Sequence, residues 1–245
     1  MDVSVCLDTS HRYRDLLALA RRAETAGLHA VYVPDHFGEF REAWTVLTAI
    51  AAATERIRVG TLVLSVTHRP TGVLTEMAHT VQEVCAGRLI LGIGAGWNEA
   101  EHAALGLPFP NARRRLDLLD EASAGLRRAV DAPLLVAGAG ERRTMRIAAT
   151  HADAWHAWAT PEEFARKCSI LDKHCASVGR KPSSVRRATG ADITGGPYDA
   201  RLLAGYEADE FIATYPREFT TAQALAAVEH LGGLLGPAGT RSPAD

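Results

Sequence analysis

The chain has 245 residues, of which 47% are hydrophobic, and it carries 27 Lys and Arg against 29 Asp and Glu. This near balance, without a block of like charge, argues against nucleic acid and membrane surfaces as partners and favours a small-molecule ligand. The sequence shows neither a basic, apolar leader nor a run of about 18 uninterrupted apolar residues. We therefore expect no signal peptide, no membrane span and a cytoplasmic location.

Eight short segments rich in β-branched residues follow one another along the chain, separated by longer segments of helical period. The predicted strands cover residues 3–7, 30–33, 57–64, 88–93, 133–137, 153–157, 185–190 and 210–214. This alternation is typical of βα units that build a parallel sheet. Eight units in a chain of this length favour a closed (β/α)8 TIM barrel over an open doubly wound sheet. We expect one domain over residues 1–236 and a short tail over 237–245.

The predicted helices have recognisable ends. The segment from Tyr13 to Gly27 repeats apolar residues at helical spacing and closes on a glycine. A second such segment begins at Pro70 and closes on Gly87.

Polar and aromatic residues follow several of the predicted strands. In a parallel barrel the loops after the strands form one face, and that face carries the chemistry. Asp35 and His36 follow the second strand, Trp97 follows the fourth, and His156 and Trp158 lie at the end of the sixth. We expect these side chains to converge at one end of the barrel.

Two glycine-rich turns belong to the same face, "GIGAGW" over 92–97 and "AGAGERRT" over 137–144. The first lacks the G-x-G-x-x-G spacing, and no acidic residue ends a strand about twenty residues later, which excludes a dinucleotide-binding Rossmann motif. Small residues at such turns let backbone N–H groups approach a flat or anionic ligand. The same glycines are consistent with tight turns that bind nothing.

Arginines stand next to the second glycine-rich turn. We expect a helix to begin at about Glu141, which places Arg142 and Arg143 in its first turn. Positive charge at that point opposes the helix dipole, which is understandable if an anion such as phosphate binds there. The alternative is that both arginines are simply solvated.

Four segments of the chain resemble the luciferase-like monooxygenase superfamily, in particular its branch that uses the deazaflavin coenzyme F420. They are "RRAETAGLHAVYVPDHF", "ATERIRVGTLVL", "GRLILGIGAGWNEAEHAALGLPFP" and "GAGERRTMRIAATHADAWHAW". The likeness runs, with one gap, from about residue 14 to residue 178. It implies a luciferase-like TIM barrel.

The resemblance also implies roles for individual residues. Asp35 would contact the heterocycle of the cofactor, His36 would lie beside it, and a non-proline cis peptide around Leu62 and Val63 would support the ring from behind. The glycine-rich turns would hold the cofactor tail through backbone amides. The residues implied in cofactor binding are Asp35, Leu62, Val63, Gly94, Ala95, Gly96, Trp97, Gly138, Ala139, Gly140, Arg142 and Arg143. The residues expected in the substrate pocket are Trp97, His156 and Trp158.

The function implied by the resemblance is that of a coenzyme F420-dependent oxidoreductase, which transfers a hydride between the deazaflavin and an enone, imine, alcohol or carbonyl compound. His36 is the expected catalytic acid, because histidine exchanges protons near neutral pH; a His36 that only supports the barrel rim is the alternative. Two other functions stay open, an FMN-dependent monooxygenase and a non-catalytic flavin-binding protein. His151 and Asp153 fall on different elements without a further ligand, so no metal site is expected.

The sequence departs from the family pattern at two places. Trp97 stands where the sugar-phosphate dehydrogenases of the family carry Glu, so we do not expect that activity. The chain also runs almost directly from the helix that ends near residue 130 into the fifth strand, where relatives usually insert a long excursion. This reduced insertion implies an open pocket or a site completed by a partner subunit, and it leaves a loss of catalysis open. The resemblance further implies a homodimer formed through barrel helices.

Overall fold

The computed structural model describes residues 1–235, which form a closed barrel of parallel strands surrounded by helices. The strands are β1 (Asp2–Cys6), β2 (Ala30–Val33), β3 (Arg58–Thr61), β4 (Leu64–Ser65), β5 (Leu89–Gly94), β6 (Leu134–Ala137), β7 (Ala154–His156), β8 (Arg186–Thr189) and β9 (Glu210–Ala213). Neighbours in the sheet follow the order β3-β2-β1-β9-β8-β7-β6-β5-β4, and β3 also pairs with β5. That last pairing, Val59 with Leu89 and Gly60 with Ile90, closes the ring.

The eight predicted strands are all present, and their ends agree with the prediction to within one residue. The third barrel strand is divided into β3 and β4, and the Leu62–Val63 peptide bond between the two halves is cis. The cis bond therefore lies where the family resemblance implied it. The (β/α)8 barrel is confirmed, whereas the predicted tail over 237–245 and the last residue of the predicted domain, Gly236, lie outside the described residues.

Nine α-helices lie within residues 1–235. They are α1 (Tyr13–Thr25), α2 (Ala43–Ala53), α3 (Thr71–Val84), α4 (Glu99–Ala104), α5 (Ala112–Ala129), α6 (Thr144–His151), α7 (Pro161–Ser177), α8 (Tyr198–Ala204) and α9 (Thr221–Leu234). Gly27 and Gly87 follow α1 and α3 with φ of 76° and 84°, which confirms their predicted role in ending these helices. Only four residues separate α5 from β6, so the reduced insertion is present in the structure. No helix in the described part of the chain combines the length and apolar composition needed to cross a bilayer.

The strands separate two apolar regions because successive side chains point to opposite faces. On β2, Val31 and Val33 pack outward against the helices, while Ala30 and Tyr32 point into the barrel. The Tyr32 hydroxyl donates a hydrogen bond to Glu210 Oε1 at 3.0 Å, and Ser4 Oγ donates to the same oxygen at 2.6 Å. Glu210 begins β9, so this cluster fills the amino-terminal end of the barrel. The carboxyl-terminal end of the barrel, where the strands end, is therefore the end available to a ligand.

Candidate active site

A cavity of about 380 Å³ opens at the carboxyl ends of the strands. The loops after β2, β4, β5, β6 and β7 all contribute to its wall, as the barrel geometry predicts. Most residues that the sequence placed in a site line it: Asp35, His36, Leu62, Val63, Gly94, Ala95, Gly96, Trp97, Gly138, Ala139, His156 and Trp158. The convergence of these residues at one end of the barrel is therefore observed, while their roles in binding and catalysis stay predictions.

Asp35 lies at the wall of this cavity, but both of its carboxylate oxygens are engaged by protein donors. His68 Nδ1 lies 2.9 Å from Oδ2, Arg69 Nη1 lies 2.9 Å from the same oxygen, and the backbone N–H of Ser65 donates to it at 3.1 Å. Burial alone would raise the pKa of Asp35, but the hydrogen bonds from His68 and Arg69 outweigh it and hold this pKa below its usual value. Asp35 thus stays ionised and fixes the segment that follows β4.

His36 is paired with a carboxylate that the sequence analysis did not identify. Its Nδ1 lies 2.8 Å from Glu101 Oε1, and the His36 and Glu101 side chains are 30% and 15% exposed. Asn98 caps α4 by accepting the Glu101 backbone N–H on its side chain, which places Glu101 in the first turn of that helix. Because an ionised carboxylate only accepts hydrogen bonds, Nδ1 carries the proton and Nε2 is left for a ligand.

A hydrogen-bonded chain of hydroxyl groups and one imidazole lies behind the turn after β5. His102 Nδ1 lies 2.7 Å from the Asn98 carbonyl oxygen, so Nδ1 donates there and Nε2 accepts from Thr67 Oγ1 at 2.7 Å. Thr67 Oγ1 is also 2.6 Å from Ser65 Oγ, which must then be the donor in that pair. The Ser65 hydroxyl also accepts the Thr67 backbone N–H at 3.4 Å, so one lone pair of this cavity-lining residue is left for a ligand.

Two buried imidazoles present an unpartnered nitrogen at the cavity wall. Within residues 1–235, Nε2 of His68 and Nε2 of His156 have no hydrogen-bond partner, and both residues line the cavity. Burial lowers the pKa of His156 to about 3, so this side chain is neutral at pH 7. Buried polar atoms without a partner are rare in native proteins, and these two indicate a place where a ligand completes the hydrogen bonding.

The two glycine-rich turns bring bare backbone to the cavity. Gly96 has a φ of 73°, and a Cβ at this position would overlap Ser65 Oγ. No acceptor within the described residues takes up the backbone N–H groups of Ala95 and Gly96, nor those of Ala139 and Gly140. These donors are therefore available to a flat or anionic ligand, as the sequence analysis proposed.

The predicted start of the helix after β6 is wrong by three residues, since α6 begins at Thr144 and not at Glu141. The Glu141 carboxylate is instead tied to α7 by Arg166 and Lys167, whose hydrogen bonds lower the pKa of Glu141 to about 2. Lys167 Nζ also donates to the Ala139 carbonyl at 3.0 Å. These tertiary contacts hold the segment in a turn and delay the helix.

Three predicted cofactor residues do not line the cavity. They are Gly140, Arg142 and Arg143. Arg143 Nη2 lies 2.6 Å from Asp117 on α5, and Arg142 is exposed. Arg143 is directed to α5 because that helix supplies its counter-ion, so a role for this guanidinium toward phosphate stays a prediction without support from the cavity.

Several residues of the cavity wall were not identified from the sequence, namely Ser65, His68, Asn98, Glu101, His102 and Thr144. One signal was available for part of this set. Asn98 followed three residues later by Glu101 is the pattern of a helix amino terminus, which would have placed Glu101 beside the loop that carries Trp97. Across residues 1–235, no group of three or more His, Cys, Asp or Glu side chains is arranged to hold a metal ion.

The fold and cavity define a parallel barrel with a ligand site at the carboxyl ends of its strands. The sequence matches the luciferase-like monooxygenase family over residues 1–241, so the chain belongs to this family.

Individual relatives share only part of the chain at recognisable identity. The F420-dependent glucose-6-phosphate dehydrogenase of Beutenbergia cavernae is 40% identical over 119 residues, a segment that covers 45% of this chain and 35% of that protein. The match thus spans about a third of the length of that relative.

Two solved structures share the fold over nearly the whole chain. An F420-dependent secondary alcohol dehydrogenase in complex with an F420–acetone adduct superimposes with a TM-score of 0.80 and 15% identity, covering 96% of this chain and 99% of that chain. The coenzyme F420-dependent tetrahydromethanopterin reductase of Methanopyrus kandleri gives a TM-score of 0.73 and 15% identity, covering 93% and 97%. At these identities the similarity establishes the fold.

Proposed function

We propose that this protein is an oxidoreductase that binds coenzyme F420 at the carboxyl end of the barrel and acts on a small organic substrate. The observation that carries the proposal is the His36–Glu101 pair at a cavity whose glycine-rich turns present free N–H groups. The Beutenbergia cavernae relative and the proteins of the two solved structures are all F420-dependent, which supports the choice of cofactor.

The residues of the cavity fit a flat heterocycle with polar edges. Ser65, His68 and His156 all line the cavity, and Nε2 of His68 and Nε2 of His156 are buried without a partner within residues 1–235. The N–H groups of Ala95, Gly96 and Ala139, which line the cavity, would receive the phosphate-bearing tail. When bound, the deazaflavin supplies hydride chemistry.

The residues of this chain supply the proton and the orientation. Glu101 holds the His36 ring through Nδ1, so that His36 carries or receives the exchanged proton at Nε2. Asp35 has an indirect role, because its carboxylate is not free and instead positions His68 and Arg69. In this arrangement His36 is the catalytic acid or base, depending on the direction of the reaction.

The experiment that tests this proposal is a fluorescence titration of the purified protein with coenzyme F420 and, in parallel, with FMN. We expect a micromolar Kd for coenzyme F420 and a Kd for FMN that is about tenfold higher or more. The reverse order would contradict the proposal and favour an FMN-dependent monooxygenase or a flavin-binding protein without catalysis.

We also propose that the protein forms a homodimer through α2. This helix contains no charged residue, although Thr45 and Ala52 are exposed on its outer side. Together with Met77, Leu105 and Leu107 it lines a groove of about 840 Å³, whose charged lining residues, Glu42 and Arg69, form an ion pair with each other. A helix on the outside of a barrel normally carries charged residues on its outer face, so a second copy of this chain is the natural occupant.

A further inference from the structure

Two tryptophans stand at the mouth of the cavity with much of their surface uncovered. Trp97 is 73% exposed and Trp158 is 49% exposed, and both line the cavity. Large aromatic side chains contribute strongly to binding when they are covered, and exposed ones that line a cavity mark a ligand site. The cavity therefore has two largely uncovered aromatic surfaces at its entrance.

Contacts to the protein position both tryptophans. Trp158 packs edge-on against His156, with ring centroids 4.6 Å apart, and its Cζ3 approaches the backbone of Gly190 so closely that a Cβ there would lie 2.6 Å away. Trp97 meets the His36 ring at 6.0 Å and at an angle of 72°. A ring lying against Trp97 would thus be adjacent to the proposed proton donor.

The carboxylates around the cavity already have partners within the protein. Asp35 is paired with Arg69, and Glu101 is paired with His36. Among the described residues, no Lys or Arg lines the cavity. The free N–H groups of the glycine-rich turns are already assigned to the cofactor tail, so an anionic group of the substrate would meet neither a cation nor a free donor of these turns. An uncompensated buried charge costs several kcal/mol.

The nearest arginines are also engaged elsewhere. Arg69 donates to Asp35 and to Glu42, while Arg115 donates to the Gly96 carbonyl oxygen and lies 4.2 Å from the Phe109 ring centroid. Neither guanidinium is free to receive a phosphate or a carboxylate of a substrate.

We propose that the substrate is an uncharged, planar molecule whose ring system lies against Trp97 and Trp158 and whose polar atom meets Nε2 of His36. This inference rests on the proposed function, since it names the substrate class of the same site. It separates this chain from enzymes whose substrate carries a phosphate, such as the glucose-6-phosphate dehydrogenase named above.

The test compares two probes of the same ring and nearly the same shape, neutral 2-acetylnaphthalene and anionic 2-naphthoate. Equilibrium dialysis at neutral pH would measure the binding of each to the full chain loaded with coenzyme F420. We expect 2-acetylnaphthalene to bind about tenfold more tightly than 2-naphthoate. Equal affinities, tighter binding of 2-naphthoate, or no binding of 2-acetylnaphthalene at its solubility limit would overturn the inference.

Variants locate the binding surface. Trp97→Ala and Trp158→Ala should each weaken the binding of 2-acetylnaphthalene about fivefold or more, because each removes an aromatic contact. The control is Tyr198→Ala, which removes an aromatic side chain that is 65% exposed on α8 and does not line the cavity. Unchanged affinity in both tryptophan variants would also overturn the inference.

The titration with coenzyme F420 keeps the two proposals apart. If the protein fails to bind coenzyme F420, the proposed function is wrong. If it binds coenzyme F420 and shows no preference for the neutral probe, only the substrate class is wrong.

Discussion

His36 and Glu101 are 65 positions apart in the sequence, and their side chains meet at 2.8 Å in the wall of the cavity. If His36 exchanges the proton, His36→Phe should lower kcat about a hundredfold or more, because general acid catalysis contributes about that factor. The affinity for coenzyme F420 should stay within a few fold, since His36 is held by protein contacts and not by the cofactor. The measurement is the rate of F420 oxidation or reduction with the best substrate found for the unaltered protein.

The matched control for His36→Phe is His151→Phe. His151 is likewise paired with a carboxylate, since its Nε2 lies 3.0 Å from Asp120 Oδ1, but it does not line the cavity. A similar loss of turnover in both variants, or none in His36→Phe, would remove His36 from the mechanism.

His156 gives the folded protein a pH dependence of stability. Its pKa of about 3 in the folded state lies below the value of about 6.5 expected in the unfolded chain. Between these values the unfolded chain binds a proton that the folded protein does not, so the free energy of unfolding falls as the pH drops through this window. Between pH 7 and pH 5 one such group accounts for a loss of about 2 kcal/mol.

His156→Phe should therefore reduce the difference in stability between pH 7 and pH 5, as measured by urea unfolding at both values. A suitable control is His79→Phe, which makes the same substitution at an exposed position on α3. The same pH dependence in His156→Phe as in the unaltered protein would show that His156 is accessible to protons in the folded state.

The sequence identified residues that line the cavity, but it did not identify the hydrogen-bond partners of those residues. Asp35 and His36 were identified from their place after the second strand, and both line the cavity. Their hydrogen bonds to His68 and Glu101 could not be derived, because they depend on how α4 and the segment after β4 lie against the barrel. The sequence therefore did not predict that the Asp35 carboxylate is engaged by His68 and Arg69.

At the scale of one element, the turn after β5 depends on the absence of a side chain at Gly96. Gly96→Ala should weaken the binding of coenzyme F420 about tenfold or more. The added Cβ would displace Ser65 Oγ and break its hydrogen bond to Thr67. The measurement is the same fluorescence titration, combined with thermal unfolding.

The control for Gly96→Ala is Gly106→Ala. Gly106 has a φ of 67°, close to the 73° of Gly96, so both variants bear the cost of a left-handed alanine, about 1 kcal/mol. No atom lies within 4 Å of a Cβ at Gly106, so the Gly106→Ala variant should bind coenzyme F420 with unchanged affinity. Equal losses of affinity would show that backbone strain, and not the close approach to Ser65, decides the effect.

The elements themselves were predicted from local patterns, except for the start of α6 and the division of the third strand into β3 and β4. Glycines and β-branched runs mark strands and turns in the sequence, and they gave every barrel strand to within one residue. The start of α6 was placed three residues too early because Lys167 and Arg166, on the next helix, bind Glu141. A contact across 25 positions leaves no trace in local periodicity.

At the scale of the whole molecule, the uncharged outer side of α2 predicts self-association. Ala52→Arg should convert a dimer into a monomer, because Glu42 in the same groove is already paired with Arg69 and burying a further, unpaired charge costs several kcal/mol. The matched control is Ala176→Arg, which adds the same charge to an exposed alanine on α7. Size-exclusion chromatography with light scattering gives the mass of each variant, and a monomeric unaltered protein would refute the dimer.

The sequence by itself determined the barrel, the order of its elements and the end at which the site lies. These follow from periods of two and 3.6 residues and from turn residues, all of which act over a few positions. The family resemblance added the cis bond between Leu62 and Val63. Tertiary structure alone decided that Glu101 pairs with His36, that Arg69 neutralises Asp35, and that Arg143 turns to α5. The physical reason is that these pairs depend on the rotation of each helix and the path of each loop, which packing over the whole barrel fixes.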